Sequence, residues 1–247
     1  MRLFISDIHA GHTNPIATQA LLRFLKGPAR AADELNILGD LFDMWLGDDD
    51  NRDPHPEVVA ALAACSGAGT AIHLLRGNHD FLLRDGFAQA AGVTLHDDPW
   101  VRQVAGQTVV LTHGDALCTD DLDYQALRHS VLDWDNQERF LAQAMPARIE
   151  EAAKLRAASK HATQLKAQDI MDVNEHAVRA LLVDSGAALM IHGHTHRPAR
   201  HQFNLNGKTA QRWVLAAWYS GASAIAWDAQ GMQALGEEEL MRLAPAG

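Results

Sequence analysis

The sequence predicts an α/β fold, a mixed sandwich interrupted by a helical insertion. Three observations predict it. Short apolar runs alternate with helical patterns over the first half of the chain, helical patterns alone crowd between about 119 and 183, and strand signals dominate after residue 198. The chain has 247 residues, 47% of them hydrophobic and 21% charged, which suits a globular domain with a sizeable core.

The strand signals come at residues 3–5, 35–38, 71–75, 109–112 and 188–191. Such short, nearly continuous apolar runs suit strands covered on both faces. Helical patterns at 16–26, 56–65 and 81–91 lie between them. Beyond residue 198, segments 199–205, 211–217, 222–228 and 232–235 read as shorter strands, with Asn206-Gly207 as a hairpin turn. These later strands predict an antiparallel second sheet. No internal repeat or low-complexity linker appears, so residues 1–247 read as one domain with an insertion at about 119–183.

Within the insertion, Tyr124, Leu127, Val131 and Trp134 fall at steps of three and four. Pro146 punctuates the chain before a second helix running to about Lys166, and Ile170, Val173, Ala177 and Leu181 mark a third. The stripe, with Phe140 and Leu141, either lines an apolar groove or packs the insertion onto the core. Residues 147–168 hold Arg148, Lys154, Arg156, Lys160 and Lys166 against Glu150 and Glu151, a net +3 inside a chain of −10. That excess is either an anion-binding face or a solvated one.

Overall acidity, with a pI near 5.7, argues against a broadly basic nucleic-acid surface. Two cysteines, Cys65 and Cys118, make no disulfide framework and suggest a reducing compartment. Residues 1–6 lead straight into a polar motif, with no signal-peptide pattern. The longest apolar run, residues 58–65, is far short of the ~20 residues a spanning helix needs. The expectation is a cytoplasmic chain, free to touch a membrane surface.

Five short motifs follow the apolar runs: Asp7-Ile8-His9, Gly39-Asp40, Gly77-Asn78-His79-Asp80, His113-Gly114-Asp115 and Gly193-His194-Thr195-His196. Each offers side chains that bind hard or borderline metal ions. Asp40, after Gly39 in a tight turn, is the natural bridge between two ions. Asn78 supplies an amide oxygen, and His113, His194 and His196 supply imidazole nitrogens. Oxygen and nitrogen donors without thiolate favour Mn²⁺, Fe²⁺ or Zn²⁺. Two such ions ~3.5–4 Å apart can clamp the attacking and leaving oxygens of a phosphoryl transfer. His55, His73, His96, His129, His161, His176 and His201 fit no motif, and His192 is expected to point away from the others.

This ordered set is similar to that of the calcineurin-like metallophosphoesterase superfamily. The resemblance implies a four-layer αββα sandwich with a helical lid. It implies Asp7, His9, Asp40 and His196 on one metal, and Asp40, Asn78, His113 and His194 on the other. Segments 38–50, 117–125, 170–174 and 192–199, with the stretch around Trp218, resemble more narrowly the UDP-2,3-diacylglucosamine diphosphatases of lipid A biosynthesis. That resemblance covers essentially the whole chain. It implies two Mn²⁺ ions, water attack at the α-phosphorus of a nucleotide-linked glycolipid, and a peripheral position on the cytoplasmic face of the inner membrane. It also implies substrate contacts at Asn78, His79, Asp121, Ser159, Thr163, Lys166 and His194, with Tyr124 a further contact.

Two positions depart from that narrower family, which typically carries Arg where this chain has His79 and often Asn where it has Thr163. In the wider superfamily the motif His, supported by the following Asp, stabilises the leaving oxygen, so His79 and Asp80 are the expected catalytic pair. Two other readings stand beside this one. A different metallophosphoesterase would act on another nucleotide diphosphate-sugar or a dinucleoside polyphosphate. A non-catalytic scaffold would be expected to show eroded ligands, and all seven are in place.

Overall fold

The computed structural model describes residues 1–164 and 172–243, with side chains to residue 158 in the first segment. Its strands are β1 (Arg2–Ile5), β2 (Glu34–Leu38), β3 (Ala71–Leu75), β4 (Thr94–His96), β5 (Trp100–Val104), β6 (Gln107–Thr112), β7 (Leu189–His192), β8 (Ala199–Leu205), β9 (Lys208–Val214), β10 (Ala224–Asp228) and β11 (Gly231–Leu235). They form a six-stranded sheet in the order β11-β10-β1-β2-β3-β4 and a five-stranded sheet in the order β5-β6-β7-β9-β8. Both sheets are mixed. The expected antiparallel second sheet is therefore corrected: β6, β7 and β9 run parallel in it, and β10 instead pairs antiparallel with β1 in the first sheet. Local sequence marks a strand but does not choose its partner, and the two C-terminal hairpins were free to join different sheets.

The helices are α1 (Pro15–Lys26), α2 (His55–Gly67), α3 (Asp85–Ala91), α4 (Leu122–Leu132), α5 (Trp134–Leu141), α6 (Met145–Gln164), α7 (Glu175–Asp184) and α8 (Glu237–Met241). Three apolar cores separate four layers. Leu3, Ile5, Leu35, Ile37, Ile72 and Leu74 face α1, α2 and α3. Phe4, Leu38 and Leu75 point the other way, onto Val109, Leu111, Leu189, Ile191 and Trp213 of the second sheet. That sheet's outer face, with Val110 and Met190, packs on Val178 and Leu182 of α7. The continuous apolar runs follow from this: alternate side chains enter different cores. The arrangement is the αββα sandwich.

Several elements lie differently from their sequence signals. Strands β4 and β5 are short and interrupted by polar residues, Thr94 and His96 in one and Arg102 and Gln103 in the other, too weak a pattern to stand out. Helix α3 starts at Asp85 and not at 81, because the amides of Arg84 and Phe87 are taken by the Asp48 carboxylate from a distant loop (3.1 and 2.9 Å). The stripe from Tyr124 to Trp134 is two helices, broken where Asp133 turns to cap the amide of Asn136 (3.0 Å). Trp134 is 65% exposed, with the Arg84 guanidinium over its ring (4.7 Å). Phe140 and Leu141 pack against the first core. Helix α7 begins after Asn174, whose side chain caps His176 and Ala177 (2.9 and 3.1 Å). Val173 therefore precedes it, and Ile170 lies outside the described residues. No helix among the described residues is long and apolar enough to cross a membrane.

Candidate metal centre

All five motifs sit at the C-terminal ends of parallel strands, β1, β2 and β3 in one sheet and β6 and β7 in the other. The loops turn sharply there. Asp7, His9, Asp40, His194 and His196 all adopt left-handed backbone, with φ of 54°, 51°, 52°, 65° and 54°. That conformation costs an L-residue about 1–2 kcal/mol, so five such residues in one place mark a site over-determined by its surroundings. The motif glycines permit the close approach. A Cβ on Gly77 would run into the Asp40 carboxylate, and one on Gly193 into the Asp7 carboxylate.

The donor atoms converge. Oδ2 of Asp40 lies 3.7 Å from His9 Nε2 and 3.6 Å from His113 Nε2. His196 Nε2 is 3.2 Å from Asp7 Oδ1 and 3.4 Å from His9 Nε2. On the other side of Asp40, Oδ1 of Asn78 meets His113 Nε2 at 3.0 Å, and the His194 ring stands edge-on to His113 at 5.1 Å. Ligand atoms of Asp7, His9 and His196 fall within 4.8 Å of one another, as do those of Asp7, Asp40 and His113. The seven expected ligands are thus brought together around a central Asp40.

Charge fits a divalent cation. Asp7 and Asp40 are buried and have no Lys or Arg partner among the described residues. Buried carboxylates need a compensating positive charge. Burial opposes a charge on His113, yet the Asp40, Asp7 and Asp115 carboxylates override it and hold that imidazole up at about 10. Burial pulls His9 and His194 down to about 4, leaving them neutral, the form that binds metal.

The expected catalytic pair divides. His79 faces the centre, its ring edge-on to His9 at 4.7 Å, with Nδ1 donating to the Asp43 carbonyl (2.8 Å). Asp80 is fully buried, and its carboxylate accepts from the amides of Asp40, Leu41, Phe42 and Gly77 (3.3, 2.7, 3.2 and 2.7 Å). It therefore braces the turn that carries Asp40; the Asp43 carbonyl supports His79 in its place. Burial and the neighbouring Asp40 raise the Asp80 carboxyl to about 6.

Tyr124 lies beside the centre, its ring 5.7 Å from that of His194 and its hydroxyl donating to Asp115 (3.0 Å). Asp121 caps the start of α4 by accepting from the Tyr124 amide (3.0 Å). Ser159 and Thr163 fall on the last turns of α6, where side chains are not described, and Lys166 lies outside the described residues. His192 is buried below the loops, with Nδ1 on the Gly193 carbonyl and Nε2 accepting from Arg212 (2.9 and 3.0 Å).

Other site neighbours had no role assigned from the sequence. Asp43, next to His79, is held bidentately by Arg156 of α6 (2.8 and 2.6 Å). Tyr219 stacks beside His9. Among the described residues, the other basic side chains of α6 are also paired: Arg148 binds Asp49 (2.7 Å) and Lys154 binds Glu150 (2.6 Å).

The family model for calcineurin-like phosphoesterases matches residues 2–198. Curated relatives include UDP-2,3-diacylglucosamine hydrolases of Aeromonas salmonicida, 46% identical over 99% of this chain and 96% of the relative, and of Aromatoleum aromaticum, 45% identical over 93% and 94%. That of an Enterobacter species is 43% identical over 94% and 96%.

Proposed function

The chain belongs to the calcineurin-like phosphoesterase family, and from that premise we propose that it hydrolyses the pyrophosphate of UDP-2,3-diacylglucosamine to UMP and 2,3-diacylglucosamine 1-phosphate. One observation carries the substrate: the 46% identity runs over 99% of the chain, through the helical insertion and beyond the residues that the broad family model covers. A shared core alone would support only phosphoester chemistry.

Asp7, His9, Asp40 and His196 would hold one divalent ion, and Asp40, Asn78, His113 and His194 the other; Mn²⁺ suits this donor set, as do Fe²⁺ and Zn²⁺. Such ions, when bound, would make hydroxide available at neutral pH and offset charge on the phosphoryl oxygens. The chain's own residues do the rest. Asp80 keeps the Asp40 turn in place through its four amides. His79, fixed at Nδ1 by the Asp43 carbonyl, presents Nε2 to the departing oxygen. Arg156 cancels the charge of Asp43, which would otherwise repel an anionic diphosphate. Tyr124 and Asp121 contact the substrate from the insertion at 119–183, which acts as a lid on a single domain, and the family resemblance adds Ser159, Thr163 and Lys166 as contacts.

The acyl chains lie along the insertion, where Leu122, Leu132, Trp134, Ile149 and Leu155 present exposed apolar surface. That surface also supports a peripheral position on the cytoplasmic face of the inner membrane, where a diacylated substrate resides. The test is Mn²⁺-dependent release of UMP from the diacylated substrate. Equal turnover of UDP-sugars lacking acyl chains would sink the lipid assignment and leave the phosphoesterase chemistry standing.

A further inference from the structure

The short turn Trp218–Ser220 carries no motif residue, yet it sets an aromatic side chain against the centre. Trp218 is fully buried, and its amide donates to the Asp7 carbonyl (3.1 Å), which ties the turn to a loop bearing two ligands. Tyr219 faces the opposite way. Its ring lies parallel to that of His9, 5.8 Å away with 1° between planes, and edge-on to His196 at 5.3 Å. The residue is nevertheless 58% exposed.

The hydroxyl makes no hydrogen bond among the described residues. A phenolic hydroxyl is an O–H donor at neutral pH. Arg156 stands on the His9 side of the centre, because it holds Asp43, whose carboxylate lies within 4.8 Å of ligand atoms of His9 and His79. A donor so placed is positioned for an oxyanion bound at the centre, in surroundings that already contain a fixed cation.

We propose that Tyr219 is a substrate-contacting residue that donates its phenolic hydrogen to a non-bridging phosphoryl oxygen held between the His9 and Arg156 sides of the centre. The inference rests on the phosphoester reading above and adds a residue to it. A neutral donor suits this place: it steadies the anion without competing for the metal-binding carboxylates.

The test compares Tyr219→Phe with Tyr219→Ala in the full chain loaded with Mn²⁺. Phe keeps the ring against both imidazoles and removes only the hydroxyl. Its metal content should match the unaltered protein, while its affinity for inorganic phosphate, read by calorimetry, and its kcat/KM should each fall about 10-fold. Ala should also lose metal as His9 and His196 loosen. If Tyr219→Phe retains full phosphate affinity while Tyr219→Ala loses metal, the ring merely buttresses its neighbours and the proposal is overturned. An unaltered, metal-loaded chain that takes up no phosphate overturns it too. Phosphate binding reads Tyr219 whatever the natural substrate is, so failure on the diacylated nucleotide alone counts against the substrate assignment and not against Tyr219.

Discussion

Asp40 connects two halves of the centre, with one carboxylate oxygen equidistant, to within 0.1 Å, from His9 and His113 (3.7 and 3.6 Å). Its other oxygen accepts from the His79 amide (2.9 Å), so the same side chain also holds the next motif in position. Asp40→Ala should abolish turnover and lower metal content to one ion per chain or fewer, as read by elemental analysis; two bound ions with activity intact would refute the bridging role. His79 is a different case, because its ring is anchored to a carbonyl and not to the ligand set. His79→Ala should slow kcat by about 10²–10³ with metal content unchanged. Loss of metal in that variant would make His79 a ligand. The ligands themselves were legible in the sequence, because each follows an apolar strand and few other uses place Asp, Asn and His so regularly. Asp43 and Tyr219 were not. Their types occur in any loop, and only the fold brings them beside His79 and His9.

At the level of elements, two bidentate arginine pairs fasten α6 to the acidic loop after β2. Arg156 takes Asp43, and Arg148, itself buried, takes Asp49 together with the carbonyls of Leu46 and Gln143 (both 2.8 Å). The local charge of residues 147–168 was visible in the sequence, but its destination was not: it answers Asp43 and Asp49 roughly a hundred residues away. Arg148→Met would orphan the buried Leu46 carbonyl and cost about 1–3 kcal/mol. Thermal unfolding should then fall by about 2–4 °C per kcal/mol for a chain of this size, and KM should rise more than kcat falls as α6 loosens. An unchanged KM would disconnect α6 from substrate binding. Gly77 shows the same dependence on distance in space. Gly77→Ala drives a methyl into the Asp40 carboxylate, so it should depress metal affinity while leaving the far-UV dichroism near that of the unaltered chain.

For the whole molecule, the two sheets meet face to face and present their parallel-strand ends on one side, so loops up to 189 residues apart in sequence share one site, as Asp7 and His196 do. His192 lies at this junction beneath the loops, and a Cβ on Gly114 would press on its ring (2.9 Å). Burial first, and then Arg212, push its pKa down to about 3. In the unfolded chain it returns to ~6.5. The unfolded state therefore binds the extra proton between these values, and stability is lost as pH falls from ~6.5 toward 3, by up to about 1.4 kcal/mol per pH unit. Denaturant titrations in chelator should show this slope, and His192→Gln should flatten it. An equal slope in both chains would place the acid sensitivity elsewhere.

Residue order was enough to read the α/β class, the five strand-end motifs, the expected donor types and, through similarity to a known family, the αββα layering. These are legible because period, composition and short spacing are local properties of a chain. Packing, by contrast, set β10 and β11 on the first sheet and β8 and β9 on the second, turned Asp80 to brace Asp40 in place of serving His79, and brought Arg148 and Arg156 onto one acidic loop. Each depends on contacts between segments far apart in sequence, and such contacts are chosen by how whole layers pack.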